Sequence, residues 1–233
     1  MKGVAIIGSG HAGCNTAINL RRAGFSESIK IFSKENYYPY HRPPLSKNFF
    51  KGDLTEENIL LKNSTFYEDN NIEIYLNTFI SEVDIKNNLI RTTSGDDYEF
   101  SYLVFATGTS SRVFADDIFP GIDIFYLRNI DDVKRIQKAL TDNSKPLLIG
   151  GGYIGLELAA SMQEMGHTVS IIELEDRLLK RVTAPIMSTF FQDLHESKGV
   201  NVLCNQSIQA IQELSLIHIS EPTRPRLSSY AVL

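Results

Sequence analysis

The sequence predicts an α/β protein made of two similar halves, each with a parallel sheet flanked by helices. The glycine pattern G-x-G-x-x-G occurs twice, at residues 8–13 and 150–155. Each copy follows a short apolar run and precedes a helical pattern that leads to a second apolar run, as in a β-α-β unit. One copy alone is a weak signal, but two copies in the same context predict a repeated fold.

The first β-α-β unit is predicted from a strand at 3–8, a helix at 11–23 and a strand at 29–32. Gly24 is placed where a helix C-terminal stop is expected. The string between the first strand and the helix is GSGHAG, and its glycines are Gly8, Gly10 and Gly13.

The second unit is predicted from a strand at 147–150, a helix at 153–165 and a strand at 168–172. Its string is GGGYIG, which contains Gly150, Gly152, Tyr153, Ile154 and Gly155. Such glycines allow a tight turn and let backbone N–H groups approach a pyrophosphate at the positive end of the helix. We therefore predict two Rossmann-like dinucleotide-binding domains of the three-layer ββα type, an arrangement suited to reduction of a flavin by a nicotinamide.

The remaining segments fill in the two domains. Residues 37–47 contain three prolines and are predicted to form a shaped loop without regular structure. Further elements are predicted as meander strands at 72–76, 80–85, 88–93 and 97–100, an apolar strand at 102–105, helices at 130–140 and near 184–197, and a strand at 200–204.

Composition narrows the class of protein. The chain has 23 basic and 28 acidic residues and a net charge of −5, without a basic stripe, which argues against a nucleic-acid partner. The sequence contains no apolar run of membrane-spanning length. Cys14 and Cys204 are not in a metal-ligand or CxxC spacing. We expect a cytoplasmic protein with no bound metal and no membrane association.

Glu173 is the candidate residue for nucleotide selection. It follows the second strand of the second unit, where a carboxylate accepts hydrogen bonds from the ribose 2′-OH and repels a 2′-phosphate. The sequence therefore favours NADH over NADPH, and the alternative is a solvated strand-end glutamate. In the first unit the corresponding region is 33–35, where Glu35 is able to serve but Lys34 intrudes.

Several motifs together resemble the FAD-dependent, NADH-using ferredoxin reductases of the putidaredoxin and rubredoxin reductase type. The similarity runs from Val4 to about Ile211. Its motifs are RPPLSK at 42–47, ATG at 106–108, YLR at 126–128, residues 150–157 and RVTAP at 181–185. The RPPLSK string is the most specific of these.

The resemblance implies FAD on the first glycine string, NADH on the second, and a [2Fe-2S] ferredoxin or a rubredoxin as electron acceptor. The implied FAD-binding residues are Gly8, Gly10, Ala12, Gly13, Glu35, Arg42, Lys47, Ile80, Ala106, Thr107, Gly108 and Arg128. The implied NADH-binding residues are Gly150, Gly152, Tyr153, Ile154, Gly155 and Glu173. Members of the family usually carry an acid where this chain has Lys34, so the ribose contact is expected to shift to Glu35.

Lys47 and Glu157 are the candidate catalytic residues. A cation beside the flavin stabilises the electron density that builds on the ring during reduction. We expect Lys47 to form an ion pair with Glu157 across the cleft where the nicotinamide arrives. The alternative for Lys47 is a solvent-facing loop lysine. Tyr153 either covers the nicotinamide pocket or packs between helix and sheet.

Thiol chemistry is disfavoured. Flavin disulfide reductases of this architecture carry a redox cysteine near residues 40–50, and this chain has none there. Cys14 is expected to be a buried core thiol and His11 a helix-start residue, and His41 is left undecided between flavin and partner.

Electron transfer from NADH through FAD to a ferredoxin or rubredoxin is thus the expected activity. Alternatives are a monodehydroascorbate- or nitrite-reductase-like flavin reductase, a relative of apoptosis-inducing factor, or a redox-silent dinucleotide-binding protein. A monomer or a homodimer is expected.

The predicted domains are an FAD-binding part at 1–108, an incomplete NAD-binding domain at 109–213 and a non-native tail at 214–233. Residues 214–224 resemble one reading frame of a sequencing adapter, and the alternative is a natural Pro-rich tail. We expect the family's second FAD segment to be missing, and hence weak FAD retention and little activity.

Overall fold

The computed structural model describes residues 2–114 and 123–207 and the backbone of 230–232. Contacts divide the chain into two compact units, Met1–His41 with Thr55–Ser110 and Arg42–Leu54 with Ser111–Leu233. In chain order the elements are β1 (Val4–Ile7), α1 (His11–Arg22), β2 (Ile29–Phe32), a 3-10 helix (Pro43–Ser46), α2 (Asn48–Lys51), a 3-10 helix (Glu57–Ile59), α3 (Ser64–Asp69), β3 (Ile72–Tyr75), β4 (Ile80–Asp84), β5 (Leu89–Thr92), β6 (Asp97–Glu99), β7 (Tyr102–Phe105), β8 (Asp123–Phe125), α4 (Ile130–Ala139), β9 (Leu147–Ile149), α5 (Tyr153–Glu164), β10 (Ser170–Ile172), α6 (Pro185–Ser197), β11 (Asn201–Leu203) and β12 (Tyr230–Val232).

The first unit is built on a parallel sheet of order β3-β2-β1-β7. Successive side chains of a strand point to opposite faces. On one face, residues such as Ile6 and Ile31 pack with Cys14 and Ala17 of α1. On the other face, Ala5 and Phe32 pack with side chains of the antiparallel sheet β4-β5-β6. This is the ββα layering that the sequence predicts.

One strand belongs to a different sheet from the one predicted. Residues 72–76 are predicted as part of the meander, and this is wrong because β3 pairs in parallel with β2. Ile72 lies opposite Ile29, and Ile74 opposite Ile31. Both isoleucines of β3 contribute to the apolar cluster on the helix-covered face, so burial of these side chains favours the main sheet.

The proline-rich segment is more regular than expected. Residues 37–47 are predicted to lack regular structure, yet Pro43–Ser46 forms a 3-10 helix that leads into α2. Proline is compatible with the first turn of a helix because its missing N–H would have no intrahelical partner there. The Lys47 N–H donates to the carbonyl of Pro44 at 2.9 Å and closes the turn.

Helix α3 is an element that the sequence pattern does not reveal. Its N-cap is Asn63, whose side chain accepts a hydrogen bond from the Phe66 N–H at 3.0 Å. Tyr67 of this helix is buried, and its hydroxyl lies 3.2 Å from the Sγ of Cys14. Cys14 is fully buried in the core, as predicted, and burial raises the pKa of its thiol.

The second unit is built on a parallel sheet of order β11-β10-β9-β12-β8. Helix α5 packs against β9 and β10, and α6 against β11. The predicted tail at 214–233 lies outside the described residues except for the backbone of β12, so its non-native origin stays a prediction. In the part of the chain that the structure describes, no helix combines the length and apolar character needed to cross a membrane.

Candidate functional site

The two glycine loops have the same backbone geometry. Gly8 has a φ of +111° and Gly150 a φ of +107°, values that favour glycine. A Cβ atom on Gly13 would lie 1.9 Å from the carbonyl oxygen of Gly8, and one on Gly155 would lie 2.2 Å from that of Gly150. Both loops therefore need the first glycine of the string for the chain to turn, and the last glycine for the helix to pack closely against the loop.

The middle glycines leave room for a ligand. Gly10 and Gly152 are the N-cap residues of α1 and α5, and neither has a side chain to bond the first N–H groups. A Cβ atom on either glycine would meet no atom of the described residues within 4 Å. The first turns of both helices lack acidic residues. Uncapped helix N-termini beside open space, with no acidic residue in the first helical turn, fit a phosphate group.

The strand end of the second unit carries a fixed carboxylate. Oε2 of Glu173 accepts a hydrogen bond from the Gly151 N–H at 2.7 Å, and Oε1 accepts one from the Glu175 N–H at 2.8 Å. Glu173 therefore lies against the glycine loop, at the position that the sequence predicts for ribose recognition. Its role in NADH binding stays a prediction.

The strand end of the first unit is arranged differently. Ser33 follows β2, and its hydroxyl accepts a hydrogen bond from the Ser9 hydroxyl of the glycine loop at 2.7 Å. Lys34 is exposed, whereas Glu35 is partly buried and accepts a hydrogen bond from the Tyr40 hydroxyl at 2.5 Å. The neutral hydrogen bond between Ser9 and Ser33 lies where the second unit has the carboxylate of Glu173. The FAD contact of Glu35 stays a prediction.

The ATG segment lies directly beside the first glycine loop. The Ala106 N–H donates to the carbonyl of Ile7 at 2.8 Å, and a Cβ atom on Gly8 would lie 2.1 Å from the carbonyl oxygen of Ala106. Thr107 and Gly108 follow on the surface. Two other predicted FAD contacts are placed apart from this segment in sequence: Ala12 is exposed on α1, and Ile80 packs in the cluster of Ala5 and Phe32.

The predicted Lys47–Glu157 ion pair is confirmed. Nζ of Lys47 lies 2.7 Å from Oε2 of Glu157. Both residues belong to the second compact unit, which includes Arg42–Leu54. The same carboxylate oxygen accepts a hydrogen bond from the Ser46 hydroxyl at 2.6 Å. The catalytic role of the pair stays a prediction.

A cavity of about 270 Å³ lies beside this ion pair. Nη1 of Arg42 donates to the carbonyl of Arg128 at 2.5 Å, and the Arg128 N–H donates to Oδ2 of Asp132 at 2.9 Å. The cavity is lined by Arg42, Pro43, Leu45, Ser46, Lys47, Leu127, Arg128, Ile154 and Glu157. Five predicted site residues thus come together in one place.

Sequence reasoning missed two polar residues at this cavity: Ser46, which lines it, and Asp132, which holds the backbone of Arg128. Ser46 is buried and bonds Glu157, but nothing in its immediate sequence indicates a contact with a residue 111 positions away. Asp132 is also buried, and it forms a capping box with Asn129 at the start of α4. An Asn three residues before an Asp at a helix start is a signal that could have found it.

Three further candidates lie at helix starts. Tyr153 and Ile154 open α5, and each residue is 51% exposed. Packing between helix and sheet therefore does not account for the Tyr153 ring, and its predicted pocket role stays a prediction. His11 is the first residue of α1, as expected, and its Nε2 lies 3.3 Å from Nδ1 of His41.

Comparison with known proteins places this architecture. The family model described as pyridine nucleotide-disulphide oxidoreductase matches residues 2–224. Rubredoxin-NAD(+) reductase of Pseudomonas putida is 34% identical over 209 residues, which cover 90% of this chain and 54% of that protein. Ferredoxin–NAD(P)(+) reductase of a Sphingomonas species is 38% identical over 199 residues, which cover 85% of this chain and 48% of that protein.

A solved structure shares the fold over nearly the whole chain. The reductase in the covalent putidaredoxin reductase–putidaredoxin complex is similar with a TM-score of 0.88 at 28% identity, and the match covers 99% of this chain and 58% of that one. The resemblance inferred from the motifs is thereby confirmed. The chain spans about half the length of the curated relatives it matches.

Proposed function

Because the chain belongs to the pyridine nucleotide-disulphide oxidoreductase family, we propose that it is the dinucleotide-binding part of a flavoprotein reductase. The whole protein would pass electrons from NADH through FAD to a ferredoxin or a rubredoxin. The observation that carries the proposal is the cavity beside Lys47 and Glu157, which has no cysteine among its described lining residues. A site without a thiol suits electron delivery to an outside carrier rather than disulfide reduction.

The two glycine loops would hold the two cofactors. When bound, the flavin supplies hydride acceptance and single-electron release. The first loop and the ATG segment would support the FAD diphosphate through backbone N–H groups. The second loop would hold the NADH diphosphate, and the fixed carboxylate of Glu173 would accept the ribose hydroxyls and repel a 2′-phosphate.

The side chains around the cavity would act on charge and orientation. The ammonium of Lys47 is held by Glu157 and would place a positive charge beside the reacting rings. Arg42 and Arg128 are tied together through the Arg128 carbonyl and would position the FAD on the cavity wall. Tyr153, exposed at the start of α5, would cover the nicotinamide pocket until NADH enters.

The acceptor is proposed from the relatives. Their names specify rubredoxin, ferredoxin and putidaredoxin, so a small iron–sulfur protein or a rubredoxin is the expected partner. We also propose a cytoplasmic location, because Cys14 and Cys204 are both free thiols and fit a reducing compartment. A monomer or a homodimer would serve this chemistry.

The proposal is tested with the 233-residue chain and excess FAD under anaerobic conditions, since weak FAD retention is expected. NADH should bleach the absorbance of bound flavin at a low rate, because little activity is expected of this chain, and cytochrome c reduction should require added ferredoxin or rubredoxin. Bleaching with direct transfer to another acceptor would favour a different flavin reductase of this fold. Binding of FAD and NADH without bleaching would favour a redox-silent protein and overturn the proposal for this chain.

A further inference from the structure

We infer, on the premise of the proposed function, that Ser46 is a positioning residue for the Lys47–Glu157 ion pair. The Ser46 hydroxyl donates to Oε2 of Glu157 at 2.6 Å, and Nζ of Lys47 lies 2.7 Å from the same oxygen. One carboxylate oxygen therefore holds both donors. The serine restricts the rotation of the Glu157 side chain, so that the carboxylate already faces Lys47.

Ser46 is itself held in place by α5. It is only 4% exposed, and its carbonyl accepts a hydrogen bond from the Ser161 hydroxyl at 2.7 Å. Glu157 and Ser161 are four residues apart and therefore neighbours on one face of the helix. The helix thus binds Ser46 twice, through its side chain and through its backbone, and Ser161 is buried as well.

This support matters because the ion pair is partly exposed to solvent. The side chains of Lys47 and Glu157 are 46% and 33% exposed. At such sites the cost of ordering two flexible side chains offsets most of the attraction between the charges. A buried hydroxyl that orders Glu157 in advance removes part of that cost. Ser46 thereby fixes the Lys47 ammonium at one place on the cavity wall.

The same segment offers an internal control. Lys51 lies on α2 and pairs with Glu164 of α5 at 2.9 Å and with Asp53 at 3.4 Å. Loosening of the whole segment would expose both lysines to a reagent, whereas loss of the Ser46 hydroxyl alone should affect only Lys47.

The first experiment measures acetic anhydride labelling of the ligand-free chain by peptide mass spectrometry. Ser46→Ala should raise the labelling rate of Lys47 relative to Lys51 by about threefold, because a hydrogen bond that orders the charged partner is lost. Ser46→Thr keeps the hydroxyl and should restore the original ratio of Lys47 to Lys51 labelling. Glu157→Gln removes the negative partner of Lys47 and gives the upper limit of that ratio. Ser161→Ala keeps the hydrogen bond from the Ser46 hydroxyl to Glu157, so it should change the labelling rates of Lys47 and Lys51 by the same factor. An unchanged ratio in Ser46→Ala, or an equal rise at both lysines, would overturn the inference.

The second experiment measures the rate of flavin bleaching against NADH concentration. Ser46→Ala should lower the saturating rate by about fivefold and change the half-saturating NADH concentration by less than about twofold, since the interaction acts on the reacting groups. A change in the half-saturating concentration alone would contradict a positioning role. If NADH does not bleach the flavin bound to the unmodified chain, the proposed function fails. The labelling ratio of Lys47 to Lys51 still decides whether Ser46 positions the ion pair.

Discussion

The two glycine loops share one backbone but differ in what surrounds them. In the first unit, the carbonyl of Ala106 stands 2.1 Å from the place where a Gly8 Cβ would be, and the strand end is linked to the loop by two serine hydroxyls. In the second unit, a Cβ on Gly150 would meet no described atom, and the strand end carries the carboxylate of Glu173. Among the described residues, the first glycine of the motif thus lies against a neighbouring backbone in the first unit and has no such neighbour in the second.

This difference separates two reasons for a glycine. At Gly8, both the positive φ and a neighbouring backbone require glycine, whereas at Gly150 the positive φ is the requirement that the described part of the chain shows. The strand-end groups predict a second difference, which concerns ligand selection. A link between hydroxyls is neutral, whereas a carboxylate at this place would accept hydrogen bonds from a ribose 2′-OH and repel a 2′-phosphate.

The largest expected effect comes from alanine at the first glycine of each loop. Gly150→Ala should lower the free energy of unfolding by about 1–3 kcal/mol through backbone strain alone. Gly8→Ala should lower it by more, at least about 4 kcal/mol, because the carbonyl of Ala106 must also move. Urea denaturation of both variants measures the contrast. Equal losses in the two variants would show that packing against Ala106 has no separate effect.

The middle glycines should affect binding without affecting folding. Gly10→Ala and Gly152→Ala occupy ordinary backbone conformations and open space, so each variant should keep or gain about 0.5 kcal/mol of unfolding free energy. A methyl group at the diphosphate position should weaken binding at least about tenfold, of FAD in the first variant and of NADH in the second. Fluorescence titration with each cofactor measures this. A reversed pattern of losses would exchange the two cofactor assignments.

Much of both loops could be predicted from sequence because their determinants are local. The strand, glycine string and helix follow one another without interruption, and β1, β2 and α1 lie within a residue of their predicted bounds. Sequence could not place β3, because an apolar strand of that length suits either sheet until its pairing with β2 is known. It missed Ser46 and Asp132 as supports of the cavity because the contacts that give them meaning depend on the folded chain.

The strand-end comparison can be tested by giving the strand end of the second unit the side chain that the first unit has. Glu173→Ser removes the carboxylate that accepts a hydrogen bond from the Gly151 N–H. It leaves a hydroxyl at this position, as at Ser33. NADH affinity should fall by about tenfold, because charge-assisted hydrogen bonds to the ribose are lost. The preference for NADH over NADPH should shrink, since a 2′-phosphate is no longer repelled. Titration with both nucleotides measures the ratio.

Ser33→Ala is the matched control for that substitution. It removes the neutral link of the first unit and should leave the NADH and NADPH affinities unchanged. A preserved nucleotide preference in Glu173→Ser would show that some other group selects the nucleotide.

The smallest expected effect is on the thiol beside the second strand end. Burial, and then repulsion from Glu173, raise the pKa of Cys204. Glu173→Gln removes a negative charge, so the pKa of Cys204 should fall and the thiolate fraction at a fixed pH below it should rise. Alkylation by iodoacetamide at mildly alkaline pH should then be about twofold faster, because only the thiolate reacts. Cys14, which is fully buried and next to the first loop, should stay unlabelled in both proteins and serves as the control. An unchanged or slower rate at Cys204 would mean that the Glu173 charge does not reach the thiol, and that the two strand ends differ less in electrostatics than their side chains suggest.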